Sequence, residues 1–77
     1  MTLRRLGVPP KDRGSLTDST CPDLFELPDG RFAVIGTDLT DQLRGMLPMD
    51  AAVGAHERIV VITRDTLTRA KVDIPDH

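Results

Sequence analysis

Few residues in this chain have the types and spacing that chemistry requires. Cys21 is the one cysteine and precedes Pro22. A reactive or redox thiol needs a lowered pKa, and no His or Lys adjoins it in sequence. The better reading is a small apolar anchor at the start of a strand, because free Cys is often buried. His56-Glu57-Arg58 invites an acid–base reading, but no nucleophile motif and no second orienting group accompany it. A solvent-facing loop His fits better. Cys21, His56 and His77 show no paired spacing of metal ligands. Asp38, Asp41 and Asp50 lack calcium-loop spacing. Gly30 and Gly36 form neither a dinucleotide fingerprint nor a Walker sequence. The expectation is no catalytic residue, no metal and no cofactor. A small enzyme or enzyme subunit working through Cys21 or His56 stands as an alternative.

Two basic groups suggest phosphate. Arg4, Arg5, Lys11 and Arg13 precede the main apolar runs, and Arg58, Arg64, Arg69 and Lys71 lie in the last third. Nucleic-acid binding through the basic tail and last helix is therefore a further alternative. With no Trp or Tyr and only 2 Phe, there is little for bases to stack on. The net charge of −2 is unevenly spread: residues 1–20 carry +2, 21–57 carry −5 and 58–77 carry +1. An acidic middle repels phosphate and suits a basic protein partner.

Any chemistry would have to be positioned by one small domain. A chain of 77 residues buries only about 60% of the surface its unfolded form exposes. Small domains often add disulfides, metals or oligomerisation. One cysteine forbids an internal disulfide, and it fits a reducing compartment. No apolar run of signal length is present, and Ile59-Val60-Val61-Ile62 is far too short to span a bilayer. A soluble, cytoplasmic protein without membrane contact is expected.

The organisation reads as a flexible basic tail over 1–20 and a single α+β domain over 21–77. Pro9-Pro10 and the Ser/Thr/Asp/Gly stretch that follows offer only Leu16 to bury, too little to repay ordering. Asp23 to Leu27 is the first strand and Arg31 to Gly36 the second, joined by Pro28-Asp29-Gly30. That tripeptide suits a type I turn with a Gly bulge. Leu27 then lies opposite Arg31. Phe25, Leu27, Ala33 and Ile35 share one face, and Leu24, Glu26, Phe32 and Val34 the other. A two-residue loop at Asp29-Gly30 would regroup them, and Pro28 disfavours it.

Asp38 caps a short helix, with Leu39, Leu43, Met46 and Leu47 as its apolar stripe. Pro48 stops it. The loop to Glu57 has Met49 and Val53 to rest on the domain. Arg58 to Thr63 is the third strand, and its β-branched run marks a strand covered on both faces. Thr63 caps a C-terminal helix that buries Leu67, Ala70 and Ile74 and leaves Arg64, Asp65 and Thr68 in water. The sheet is expected to be mainly antiparallel, with a parallel crossover as the other possibility. Whether the helices cover one face or one each stays open.

Such a sheet is apolar on both sides, and two short helices leave part of it wet. Exposed apolar area costs about 25 cal/mol per Å². The expectation is therefore a homodimer or a protein hetero-partner, with Leu24, Phe32, Val34, Val60 and Ile62 as the candidate interface. The competing outcome is that the tail or the 48–57 loop folds over the exposed side.

Three segments carry a resemblance: Cys21-Pro22-Asp23-Leu24-Phe25-Glu26-Leu27, Gly30-Arg31-Phe32-Ala33-Val34-Ile35-Gly36-Thr37-Asp38 and Glu57-Arg58-Ile59-Val60-Val61-Ile62-Thr63-Arg64. The chain resembles small actinobacterial proteins encoded beside helix-turn-helix regulators in Streptomyces and relatives. The likeness spans roughly residues 21–72 and rests on packing motifs, which name no chemistry. Those proteins usually carry a Trp in the last helix and an Arg-Asp-Ser turn after the hairpin. Here there is no Trp, and Gly36-Thr37-Asp38 stands at the turn. The resemblance implies a small accessory or antitoxin-like modulator of a DNA-binding regulator, acting by protein contact and without catalysis.

Overall fold

The structure, a computed structural model, describes residues 2–9 and 22–76. It is a small α+β fold with a three-stranded antiparallel sheet in the order β1-β2-β3. The strands are Arg4–Arg5 (β1), Asp23–Glu26 (β2) and Phe32–Ile35 (β3). Thr37–Asp38 (β4) and Val60–Val61 (β5) form a second, two-stranded antiparallel sheet. Helix α1 covers Thr40–Leu43 and runs into a 3-10 turn over Arg44–Met46. Helix α2 covers Arg64–Ala70, with a 3-10 turn over Lys71–Asp73.

The hairpin has the register its turn chemistry predicts. Gly30 N–H donates to the Leu27 carbonyl at 3.0 Å, and Leu27 N–H donates to the Arg31 carbonyl at 2.8 Å. Gly30 takes φ +93°, the left-handed step of the bulge that glycine accepts without strain. Leu24 pairs with Val34, Phe25 with Ala33 and Glu26 with Phe32. The two faces are those expected from a three-residue loop.

The other strands differ from expectation. The third strand of the main sheet is Arg4–Arg5, within the stretch expected to be a tail, and not Arg58 to Thr63. Two arginines carry no strand signal of their own. They are held by partners far along the chain: Arg4 on Glu26 at 2.6 Å and Arg5 on Asp23 at 2.9 Å. The Arg5 guanidinium also lies 5.4 Å from the Phe25 ring centre, a cation–π distance. Leu6 N–H continues the ladder onto the Leu24 carbonyl at 2.9 Å. The rest of the expected tail, residues 10–20, lies outside the described residues.

Leu6 (1% exposed), Leu24 (6%) and Ala70 (0%) form the core of the described residues, with half-buried Ile62 against it. Burying a leucine contributes roughly 1.5–3 kcal/mol, so this core is thin. Gly7 makes it possible for the N-terminal segment to meet α2. It takes φ +81°, and a Cβ there would lie 3.1 Å from the Arg69 carbonyl and the Ala70 nitrogen. Its N–H donates to Asp73 Oδ2 at 2.7 Å, and Arg4 donates to the Asp73 carbonyl at 2.9 Å.

Both helices start close to where their polar residues point. Asp38 Oδ1 accepts from Thr40 N–H, so Asp38 caps from one position before Leu39, which holds the N-cap place. Leu39, Leu43 and Leu47 are half-buried, whereas Met46 is mostly exposed. Met49 is fully exposed and not resting on the domain. Thr63 caps α2, its Oγ1 accepting from Thr66 N–H at 3.1 Å. The buried side of α2 is Thr66 and Ala70, four residues apart, while Leu67 and Ile74 stay exposed. The expected trio of Leu67, Ala70 and Ile74 is thus corrected to one member plus a threonine. The Thr66 hydroxyl is satisfied by Thr63 Oγ1 at 2.8 Å, which lets it be buried.

Gly36 separates the two sheets. A Cβ at Gly36 would sit 2.7 Å from the Val61 carbonyl oxygen, so the strand makes a close backbone crossing there that only glycine permits. The β-branched run therefore pairs beyond the hairpin, with Thr37 and Asp38, and antiparallel. It is not covered on both faces: Val60 and Val61 are each 39% exposed.

Candidate functional site

The expected interface residues separate into two groups. Leu24 and Ile62 serve the core. Phe32 (45% exposed), Val34 (43%) and Val60 stand at the surface. Ile35, on the opposite face of β3, is 53% exposed and joins them. Sequence reasoning assigned Ile35 to a face correctly but did not single it out. An exposed position on either face follows once β3 is known to be an edge strand, and strand order is invisible in a periodicity of two.

The backbone of this edge is as telling as its side chains. The Leu27–Arg31 pair is hydrogen-bonded, and such pairs alternate along an antiparallel ladder. Ala33 and Ile35 therefore direct their N–H and C=O groups at β2. Phe32 and Val34 direct theirs away from it. Beside β3 on that side, no strand pairs among the described residues. From Phe32 to Thr37 there is no charged residue and no proline, the usual devices that blunt an open edge.

A polar hollow of about 430 Å³ lies at the start of α1, lined by Asp38, Thr40, Asp41, Gln42, Arg44 and Arg58. Its central groups are already engaged. Asp38 Oδ1 accepts from the Thr40 hydroxyl at 2.6 Å and from its N–H at 3.1 Å. The Thr40 hydroxyl oxygen accepts from Ile59 N–H at 2.8 Å. These bonds, with the Arg58 guanidinium 3.9 Å away, hold the Asp38 carboxyl below its usual range, the Thr40 hydroxyl contributing most. Asp38 thus stays ionised, and the Thr40 proton is committed to it. The arrangement ties α1 to β5 and leaves neither group poised to move a proton.

A second hollow, about 420 Å³, is more apolar and is formed by Leu47, Ala51, Ala52, Val53, Glu57, Arg58 and Ile59. At the hairpin tip, the Arg31 guanidinium holds the Asp29 carboxyl below its usual range. Arg69 pairs with Asp65 at 2.9 Å, which neutralises part of the basic strip on α2. His56 is exposed in the loop, and Glu57 turns instead to Gly54 N–H at 2.8 Å. Cys21 and His77 lie outside the described residues. Among the described residues, no three His, Cys, Asp or Glu side chains gather as metal ligands. No described helix is long and apolar enough to cross a membrane.

No protein-family model, no curated protein and no solved structure matches the chain.

Proposed function

We propose that this chain is a non-catalytic protein-binding module, a cytoplasmic accessory that modulates a DNA-binding regulator by protein contact. One observation carries the reading. Phe32, Val34, Ile35, Val60 and Val61 are all substantially exposed on a chain whose described core holds three apolar residues. Apolar side chains left exposed on both faces of a sheet edge and on the strand beyond it offer contact area to a protein partner. The acidic middle segment, −5 over residues 21–57, favours a basic partner. The regulator itself is suggested by the resemblance to accessory proteins encoded beside such regulators.

The test is affinity capture from the native host, followed by titration of the purified regulator. Wild type is compared with a Phe32→Glu, Val60→Glu variant whose circular dichroism is unchanged. A helix-turn-helix regulator should bind wild type directly and the variant at least about tenfold more weakly. Equal binding to both, or no regulator retained by wild type, would overturn the proposal.

A further inference from the structure

The geometry points to a second copy of this chain as the occupant of the open β3 edge, pairing antiparallel so that two three-stranded sheets become one of six. This rests on the reading of the exposed apolar edge as a protein-binding surface. The N–H and C=O groups of Phe32 and Val34 face outward, as the alternation of the Leu27–Arg31 ladder requires. Only even-numbered positions offer free backbone groups there, so a two-fold pairing must set even against even. Placing Phe32 opposite Val34 of the second copy satisfies that rule twice in one dimer. It also makes two aromatic–β-branched cross-strand pairs, a favourable combination.

Charge along the strand permits self-pairing. Phe32 to Thr37 is uncharged. An antiparallel pairing brings the Arg31 end of one copy to the Asp38 end of the other. Each end is locally balanced, Arg31 by Asp29 at 2.8 Å and Asp38 by Arg58 at 3.9 Å. No like charges are set directly opposite each other along the paired strands. The strands are short and bury less than the ~800 Å² per partner of a standard interface. Association should be weak and should depend on concentration.

Sedimentation equilibrium and amide hydrogen exchange test this on the full chain. Val34→Pro removes an N–H that points away from β2, so the monomer loses no ladder bond. Val34→Lys places a charge on the same edge without touching the backbone, and is read if the proline variant fails to fold. Wild type should dimerise, with Phe32 and Val34 amides slowed at high concentration. Both variants should shift to monomer, with the Phe32 amide fast in each and the amide of residue 34 fast in Val34→Lys. A wild type that stays monomeric up to about 1 mM would overturn the inference. So would a dimer unaffected by either variant, or one in which the two amides gain no protection. A monomer that still binds the regulator removes this inference and leaves the proposed function standing. A β3-paired dimer that binds no regulator does the reverse.

Discussion

Two regions of the molecule solve the problem of a small core in opposite ways. The first is the clamp made by β1, β2 and α2. Its strand is two arginines long, yet Leu6 beside it is among the most buried side chains described. Ion pairs to Glu26 and Asp23 and bonds to Asp73 close the clamp across most of the chain's length. The second is the arm made by β4 and β5. Val60 and Val61 have strong strand preference, yet both stay substantially exposed. The arm is held by its short ladder, the Leu39 N–H to Ile59 carbonyl bond and the Thr40 hydroxyl. Burial here follows from which segments close against one another over long range. Local apolar content does not decide it.

The strongest way to break this comparison is Leu6→Ala. Removing a fully buried leucine side chain costs about 2–5 kcal/mol. For a chain of 77 residues that is a large part of a total stability of about 4–12 kcal/mol. Urea denaturation should show the midpoint falling sharply or the transition vanishing. Val60→Ala, at a half-exposed position, should cost about 1 kcal/mol or less. Comparable losses for the two would mean the clamp has no privileged place.

A smaller effect should separate the regions directly. Gly36→Ala puts a Cβ 2.7 Å from the Val61 carbonyl oxygen and 3.0 Å from Ile62 Cγ2. The nearer atom is backbone and cannot rotate away. Overpacking of this kind costs about 1–3 kcal/mol, and the strain falls on the arm. Hydrogen exchange at the Leu39 amide should accelerate while the Leu6 amide, bonded to Leu24, keeps its protection. Gly45→Ala is the control, since a Cβ there meets nothing within 4 Å, and its exchange pattern should match wild type. Equal acceleration at Leu6 and Leu39 in Gly36→Ala would show that clamp and arm open together.

The sequence was most legible where a local rule acts alone. Pro28-Asp29-Gly30 set the hairpin register, and Thr63 set the start of α2. Both need only nearest neighbours. Legibility failed where a distant partner decides. Arg4 and Arg5 look like a solvated tail until Glu26, Asp23 and Asp73 are brought beside them. Thr66 is the exception, since its partner Thr63 is only three residues away, yet it looks like a surface residue until that hydroxyl bond is drawn. The Ile59–Ile62 run reads as a third strand of one sheet, but Val60 and Val61 pair with Thr37 and Asp38 in a second sheet beyond the close crossing at Gly36. For the candidate site, composition flagged exposed Phe32, Val34 and Val60. It also named Leu24 and Ile62, which the clamp claims for the core.

The mildest change sharpens how the arm is fastened. Asp38 accepts from the Thr40 hydroxyl and N–H and lies near Arg58, and these together lower its pKa below the ordinary 3.8. A carboxyl with a depressed folded-state pKa stabilises the fold fully above its unfolded value. That contribution fades as pH falls through the lowered folded value. Asp38→Asn keeps an acceptor for Thr40 but has no charge to titrate. Thermal melts from about pH 6 to about pH 2 should show wild type slightly ahead of the variant above the ordinary carboxylate range, with the two curves converging below it. The side chain is open to solvent, so added salt should shrink the part due to Arg58 and leave the Thr40 part. A gap that stays constant across this range would mean that the carboxylate fastens α1 only as a neutral acceptor, and that the arm owes nothing to its charge.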